Sequence, residues 1–186
     1  MMEIPSHAKC VFKGIVYDVY QWQQQTFSGE IKTYEALYRP DVAVVIAVQQ
    51  DAILIAKEEQ AVIGEFWSHF GGFVEKDESP LQAAKREFYE ESGYMADDWH
   101  LLGVYEHPGK VSSRTHIYRA GSLSHQGKAQ LDCGERIELV SISWERWLTM
   151  LKAGMFRGNE EILSLLAPQP CPEQSLLLKE VLFSTP

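Results

Sequence analysis

The stretch from Val42 to Val48 is an almost unbroken run of apolar residues. Such a run predicts a strand that is buried on both faces. A second apolar segment, Ala52–Ala56, follows closely and is expected to lie beside it. A strand covered on both faces needs one layer of structure above it and another below. This pair of segments therefore favours a layered α/β domain.

The segment after Ser79 carries the signals of a helix with defined ends. Ser79 stands at the N-cap position, Pro80 at the first helical position, and Gln82 where a capping box requires it. Gly93 supplies a residue that commonly ends helices. We therefore predict a helix from Pro80 to about Ser92.

Apolar periodicity predicts the other elements of the main domain. A loop through Gly64 is expected to lead to the glycine pair Gly71-Gly72. Three strands and three helices are expected after Gly93: strands Leu101–Glu106, Thr115–Ala120 and Ile137–Ser143, and helices Trp144–Ala153, Glu160–Leu166 and Glu173–Phe183. Mixed strands flanked by helices predict a helix–sheet–helix sandwich.

The first forty residues alternate apolar and polar side chains. The pattern predicts one strand through Val11 to Trp22, a turn at Ser28-Gly29, and a second strand at Ile31–Tyr38. Arg39-Pro40-Asp41 then breaks the alternation. We expect an antiparallel arm over residues 1–40 and a main domain over residues 41–186.

Composition restricts the class of protein. Hydrophobic residues make up 45% of the 186, which indicates a folded chain, and the formal charge of -9 argues against nucleic-acid binding. No apolar run could span a membrane, and Met1–Cys10 lacks the layout of a signal peptide, so we expect a cytoplasmic location. The three cysteines show no zinc or disulfide spacing and are interpreted as reduced and structural: Cys10, Cys133 and Cys171.

The predicted helix gathers carboxylates on one face. With about 100° of rotation per residue, Glu87, Glu90 and Glu91 fall within an arc of about 100°. Like charges so placed repel one another unless they are solvated or neutralised by a cation. A solvated helix face is one interpretation of this cluster. The other is a site for magnesium or manganese, because these hard ions prefer oxygen ligands.

The spacing around the cluster matches a long signature. Gly72 is followed after five residues by Glu78, and after seven more by the segment Arg86–Tyr94. This order resembles the Nudix hydrolase signature, G-x5-E-x7-R-E-U-x-E-E-x-G-U with U apolar, at every fixed position. Tyr94 in the last U position is a mild variation. The signature covers 23 residues, from Gly72 to Tyr94.

The resemblance implies a fold, a reaction and a set of roles. Nudix proteins are α/β/α sandwiches in which this loop–helix–loop holds divalent metal, here expected to be Mg2+ with Mn2+ as the alternative. By motif position, the implied ligands are Glu87, Glu90, Glu91 and the carbonyl of Gly72 or its neighbour Gly71. Glu78 and Arg86 would tie the loop to the helix as structural support of the site.

The choice of substrate depends on residues outside the signature. The N-terminal arm resembles one that is exchanged between subunits in dimeric ADP-ribose pyrophosphatases, and Tyr105–Gly109 resembles the proline-glycine segment of that branch. Asp132–Glu138 resembles its late acidic loop. That similarity makes Glu135 the candidate general base or additional metal ligand, with Glu138 in reserve. An ordinary surface acid is the alternative for Glu135.

The chain departs from that branch at two places, Lys57–Gln60 and Lys110–Arg114. Three cations could meet phosphates there but are more often solvated charges: Lys57, Lys110 and Arg114. Three aromatic side chains could stack on a base but are more often core or interface residues: Trp22, Tyr38 and Trp67. Three histidines lack metal spacing and are assigned core or surface roles: His69, His107 and His116.

These observations predict hydrolysis of a nucleoside diphosphate linked to another group. ADP-ribose or a nucleotide sugar would yield a nucleoside monophosphate and a sugar phosphate. Two alternatives stay open: a nucleoside triphosphate or dinucleoside polyphosphate pyrophosphohydrolase, and a non-catalytic nucleotide sensor. The expected partners are a small nucleotide substrate and a second copy of the chain, with neither nucleic acid nor membrane.

Overall fold

The computed structural model describes residues 2–131, 133–166 and 172–184. In chain order the strands are β1 (Lys9–Lys13), β2 (Asp18–Gln25), β3 (Ile31–Tyr38), β4 (Val42–Gln49), β5 (Ala52–Gln60), β6 (Gly64–Ser68), β7 (Phe70–Phe73), β8 (Tyr94–Glu106), β9 (Val111–Ser112), β10 (Arg114–His125) and β11 (Glu135–Ser143). The helices are α1 (Pro80–Ser92), α2 (Trp144–Lys152), α3 (Asn159–Leu163) and α4 (Pro172–Phe183), and a 3-10 turn spans Ser164–Leu166.

The strands form two sheets within the described residues. The larger sheet has the order β11-β5-β4-β10-β8, and β4 and β10 run parallel while its other pairs are antiparallel. The smaller sheet has the order β1-β2-β3-β9. Its β9 belongs to the chain that leads into β10, so backbone pairing joins the N-terminal strands to the segment that precedes β10.

The two central strands separate from each other partway along their length. β4 and β5 pair only at Ala47↔Leu54, Val48↔Ile53 and Gln49↔Ala52. Beyond these pairs β6 adds to β5, and β7 adds to β4. The sequence prediction of a loop in this region was wrong, because these short strands satisfy the backbone groups that the separating strands expose.

Apolar layers cover both faces of the larger sheet. One layer lies under α1 and includes Val45, Phe70 and Phe88. The other lies under α2, α3 and α4 and is centred on Trp147 and Ile117. The predicted α/β/α sandwich is confirmed, and the Val42–Val48 run occupies its centre.

The capping signals in the sequence predicted both ends of α1 correctly. The Ser79 hydroxyl accepts from the Gln82 amide, the Gln82 side chain accepts from the Ser79 amide, and Gly93 closes the helix at φ 71°. The predicted strands after Gly93 are present, although β8 begins at Tyr94 and β10 extends to His125. The helix expected at Glu160–Leu166 is a short α-helix followed by the 3-10 turn.

The N-terminal prediction needs one correction. The stretch from Val11 to Trp22 is two strands, β1 and β2, joined by a turn in which the Gly14 amide donates to the Tyr17 carbonyl. Apolar residues continue through this turn, and Ile15 lies fully exposed at its tip, so alternation alone could not reveal the reversal.

Two of the cysteines can be placed. Cys10 and Cys133 are free thiols, in agreement with the prediction that they are reduced, but both are exposed, and this exposure gives no support to a structural role. Cys171 lies outside the described residues, as does Asp132 of the acidic loop. No helix in the described part of the chain is long and apolar enough to cross a membrane.

Candidate active site

Arg86 connects the loop of this segment to its helix. Its Nε and Nη2 donate to the two carboxylate oxygens of Glu78, each at 3.0 Å, and Nη2 also donates to the Phe73 carbonyl at 3.0 Å. Its Nη1 donates to Glu87 at 2.8 Å and to Glu90 at 3.2 Å. The bonds from Arg86 lower the pKa of Glu78 and keep that carboxylate ionised. This arrangement joins the end of β7 and the following loop to the middle of α1.

Glu91 lies on the side of α1 that faces β7. Its carboxylate accepts a hydrogen bond from the Gly71 amide at 2.8 Å. Burial raises the pKa of Glu91 well above its usual range, although the bond from Gly71 opposes that shift. The neighbouring charges of Glu58, Glu87 and Glu135 raise the pKa further. An ionised Glu91 therefore needs positive charge nearby.

Gly72 passes directly beside the carboxylate of Glu87. A Cβ at position 72 would lie closer than 3.0 Å to three atoms of that carboxyl group. Burial also raises the pKa of Glu87, whereas the hydrogen bond from Arg86 lowers it. Glycine at this position leaves the carboxylate in place against the backbone of β7.

Glu58 is a site residue that the sequence prediction missed. It is buried on β5, its carboxylate accepts from the Ser68 hydroxyl, and burial raises its pKa. Alternation along β5 contained the signal, because Glu58 is in phase with Leu54 and Ala56, which pack in the layer under α1. A charged residue in phase with a buried apolar stripe is a candidate for function.

Glu135 and Glu138 lie on opposite faces of β11. Glu135 is half-buried and accepts from the Gln60 side chain at 2.9 Å, which brings it beside Glu58. Glu138 is exposed and in phase with Val140, which packs toward the layer under α2. The structure thus brings Glu135 to the α1 side and separates Glu138 from it.

The carboxylates offer only oxygen donors, which suit a hard divalent ion. Among residues 2–131, 133–166 and 172–184, no three His, Cys, Asp or Glu side chains converge closely enough to hold a metal. Nη1 of Arg86 pairs with both Glu87 and Glu90, so an ion would compete with this guanidinium for them. The close approach of Gly72 to Glu87 and the buried Glu91 carboxylate nonetheless fit a cation at this end of α1.

A cleft of about 350 Å³ opens where β4 and β5 separate. Its walls include residues of all four neighbouring strands, among them Glu58, Gly71 and Gly72. Two cations, Arg39 and Arg157, also line it. Within the described residues, the acidic side chains that line it are Glu58 and Glu161, and the glycine pair in its wall lies beside the carboxylates of Glu87 and Glu91.

The two arginines are held by different contacts. The guanidinium of Arg157 lies over the Phe66 ring, 5.1 Å from its centroid, and donates to the Gln60 side chain at 3.4 Å. Nε of Arg39 donates to the Ser113 hydroxyl at 3.2 Å, and Nη2 lies 2.8 Å from a ring nitrogen of His107. No sequence pattern marked either arginine, since each reaches the cleft through tertiary packing.

His69 also lines the cleft, so its assignment to an ordinary core or surface role was incomplete. Burial lowers its pKa to about 3, which keeps the imidazole neutral. His107 contacts Arg39 and the Thr115 hydroxyl, and His116 lies 3.0 Å from an Asp41 oxygen.

The other sequence candidates lie elsewhere. Lys57 pairs with Glu65 at 3.1 Å, and Arg114 lies 3.7 Å from Glu106. The ring of Trp22 lies against Tyr34 at a tilt, and the ring of Tyr38 meets Tyr20 edge-on. In the described part of the chain, the cleft is lined by none of Lys57, Lys110, Arg114, Trp22, Tyr38 and Trp67.

Comparison with known proteins decides the family. The model of the NUDIX domain matches residues 37–166. This chain belongs to the Nudix family. The matched residues contain α1, the glycine pair of β7 and all of the cleft-lining residues named above. The predicted class of enzyme, a Nudix pyrophosphohydrolase, is confirmed.

Several curated relatives match most of the chain. An ADP-ribose pyrophosphatase of Bacillus subtilis (strain 168) is 27% identical over 147 residues, covering 77% of this chain and 80% of that protein. A methanol dehydrogenase activator of Bacillus methanolicus is 23% identical over 160 residues, covering 83% and 86%. An RNA pyrophosphohydrolase of Thioalkalivibrio sulfidiphilus is 26% identical over 161 residues, covering 74% and 91%.

A solved structure supports the fold. The crystal structure of an ADP compounds hydrolase superposes with a TM-score of 0.71 and covers 87% of this chain and 89% of that chain. The two sequences are 22% identical, so this likeness concerns the arrangement of helices and strands. The α/β Nudix fold is therefore established by both sequence and structure.

The contact between Gly72 and Glu87 yields a test of the site. Gly72→Ala should displace the Glu87 carboxylate and lower the rate of pyrophosphate-bond hydrolysis about a hundredfold, because misplacement of catalytic groups by about 1 Å is costly. Gly127→Ala is the matched control, since a Cβ there meets no atom within 4 Å. Steady-state rates and melting temperatures of both variants would be compared. Normal turnover by the Gly72→Ala variant would show that this contact does not contribute to the active site.

Proposed function

We propose that this enzyme hydrolyses the diphosphate bond of a nucleoside diphosphate linked to another group, with ADP-ribose or a nucleotide sugar as substrate. The products would be a nucleoside monophosphate and a sugar phosphate. One observation carries the proposal: the cleft is lined by two arginines, by Glu58 and by the glycine pair, whose other neighbours are the carboxylates of Glu87 and Glu91. A diphosphate with a group on either side needs both kinds of charge.

The acidic end would hold the divalent metal. Glu87, Glu90 and Glu91, with the backbone carbonyl of Gly72, are the proposed ligands, and Mg2+ is the proposed ion with Mn2+ as a substitute. When bound, such an ion offsets phosphate charge and makes a water molecule more acidic. Glu78 and Arg86 would hold the segment that presents these ligands, as their mutual hydrogen bonds indicate.

The arginines would bind the phosphate oxygens of the substrate from the walls of the cleft. A guanidinium pairs well with phosphate oxygens because its N–H groups form a planar fork. Arg157 is already oriented by Phe66 and Gln60, and Arg39 by Ser113, so little side-chain freedom would be lost on binding. Binding energy from these contacts would help to fix the diphosphate for attack by water.

Glu135 is the proposed general base. A base must reach the attacking water directly or through one neighbour. The hydrogen bond from Gln60 to Glu135 and the proximity of Glu58 support a position at the acidic end of the cleft. Glu58 would contribute as a further carboxylate of that end.

The names of the relatives point to different substrates, so experiment must identify the substrate of this enzyme. One is an ADP-ribose pyrophosphatase, and another an RNA pyrophosphohydrolase. The N-terminal arm favours the ADP-ribose and nucleotide-sugar branch. The alternative substrate is a nucleoside triphosphate or a dinucleoside polyphosphate. A non-catalytic nucleotide sensor is the remaining alternative, and a cytoplasmic location remains a prediction of the sequence.

A substrate panel tests the function directly. We expect Mg2+-dependent release of a monophosphate from ADP-ribose or a nucleotide sugar, and slower release from triphosphates.

Glu91→Gln should nearly abolish turnover without unfolding the chain, because its amide oxygen can still accept from Gly71. Product chromatography gives the rates, and circular dichroism checks the fold. A Glu91→Gln enzyme that keeps most of its activity would contradict the proposed mechanism.

The two faces of β11 provide a matched pair of variants. Glu135→Gln should lower kcat by about a hundredfold, the usual order for loss of a general base. Glu138→Gln removes an equal charge from the other face of the strand and should change kcat by less than about twofold. Equal effects of the two substitutions on kcat would show that Glu135 is an ordinary surface acid.

We further propose that residues 1–40 form a dimerisation arm. Its exposed apolar side chains are unusual for a surface that faces only water, and they include Phe12, Phe27 and Ile31. Phe12→Lys should shift the chain from dimer to monomer in sedimentation experiments. Ile63→Lys is the control, because Ile63 is similarly exposed but lies outside the arm. A wild-type chain that sediments as a monomer at micromolar concentration would refute the arm's role.

A further inference from the structure

His69 occupies a particular place between the two short strands of the cleft. It lies between Ser68, the last residue of β6, and Phe70, the first of β7. The residue is only 7% exposed, yet it lines the cleft together with Gly71 and Gly72. His69 is therefore an interior residue that also borders the cleft.

The contact with Trp147 fixes which ring nitrogen carries the proton. The indole Nε1 of Trp147 donates to Nε2 of His69 at 2.8 Å. An indole N–H can only donate, so Nε2 must be the unprotonated acceptor. A neutral imidazole has one N–H, and in this ring the hydrogen is consequently on Nδ1. A doubly protonated ring could not accept this bond.

The Nδ1–H group has no hydrogen-bond partner within the described residues, and it is buried. Neighbouring rings hold the imidazole in place: Phe156 lies 4.5 Å away between centroids, and Trp147 lies edge-on at 5.9 Å. A buried donor without an acceptor is costly, and such groups are rare in native proteins. The ring cannot turn to find another acceptor without losing the bond from Trp147.

We propose that Nδ1–H of His69 binds a neutral acceptor atom of the substrate, either a ribose hydroxyl oxygen or an acceptor of the base, and that the cleft wall over this buried nitrogen moves aside when the substrate binds. This inference rests on the proposed function only in taking the cleft as the nucleotide site. A neutral donor suits a neutral acceptor, whereas Arg39 and Arg157 offer the charge that phosphate oxygens prefer. His69 is thus a substrate-binding residue whose tautomer is set from the interior by Trp147.

Two substitutions separate the two ring nitrogens. The amide of His69→Asn reaches the position of Nδ1 and can replace the donor. The amide of His69→Gln reaches the position of Nε2 and can keep the bond from Trp147 while leaving nothing at Nδ1. Calorimetric titration with AMP and, separately, with ribose 5-phosphate measures binding of two small probes that have no diphosphate to cleave. The two probes distinguish an acceptor on the nucleoside from one on the second sugar.

We expect His69→Gln to weaken binding of one probe about tenfold, the order for one lost hydrogen bond, and His69→Asn to restore most of it. His69→Gln binding both probes at wild-type affinity would overturn the proposal and would indicate that a buried water satisfies Nδ1. Failure of both probes to bind the wild-type enzyme at millimolar concentration would overturn it as well.

Nuclear magnetic resonance of the wild-type enzyme tests the same contact without any substitution. With 15N-labelled histidine, the Nδ1–H resonance of His69 should shift on saturation with the probe that binds, while Nε2 keeps its acceptor signature. An unchanged Nδ1–H resonance would refute the proposal even if ADP-ribose is hydrolysed. A shifted resonance in an enzyme that hydrolyses no diphosphate would instead refute the proposed function and leave this contact standing.

Discussion

The guanidinium of Arg86 is the interaction on which the site depends. It is permanently charged and donates to two oxygens of Glu78, to the Phe73 carbonyl, and to Glu87 and Glu90. One cation thus fixes the end of a strand, the loop that follows and one face of a helix. Without it, Glu87 and Glu90 would repel each other and the loop would lose its main connection to α1.

Arg86 does not form hydrogen bonds with all of the acidic side chains. Glu58 and Glu91 accept from neutral donors, the Ser68 hydroxyl and the Gly71 amide, and burial raises the pKa of both. Carboxylates buried without a cation are costly to keep ionised. The structure therefore divides its acids into Glu78, Glu87 and Glu90, which Arg86 neutralises, and the buried pair Glu58 and Glu91. Of this pair, Glu58 lines the cleft, and the nearby charge of Arg157 partly offsets its own.

Sequence patterns succeeded where the determining forces are local. The limits of α1 follow from hydrogen bonds within a few residues of Ser79 and Gly93, so they could be predicted to the residue. The strands β6 and β7 exist because β4 and β5 separate, and that event depends on pairing between distant segments. Short strands formed in this way leave little periodicity to detect.

The same distinction applies to the site. The signature residues stand at fixed spacings and were found directly, whereas Arg39, Arg157 and His69 reach the cleft from three separate parts of the chain. Glu58 could have been recognised, because alternation along β5 aligns it with Leu54 and Ala56. His69 could not, since its significance depends on an indole 78 positions later in the chain.

The separation of β4 from β5 has a consequence for how such a cleft can change. The aperture between β4 and β5 begins after their three shared pairs, where each strand pairs instead with an inserted strand at the usual spacing of about 4.8 Å. That aperture is set by main-chain pairing of β6 with β5 and of β7 with β4. Side-chain replacements along its rim can therefore alter which molecule is accepted while the span that admits it stays constant.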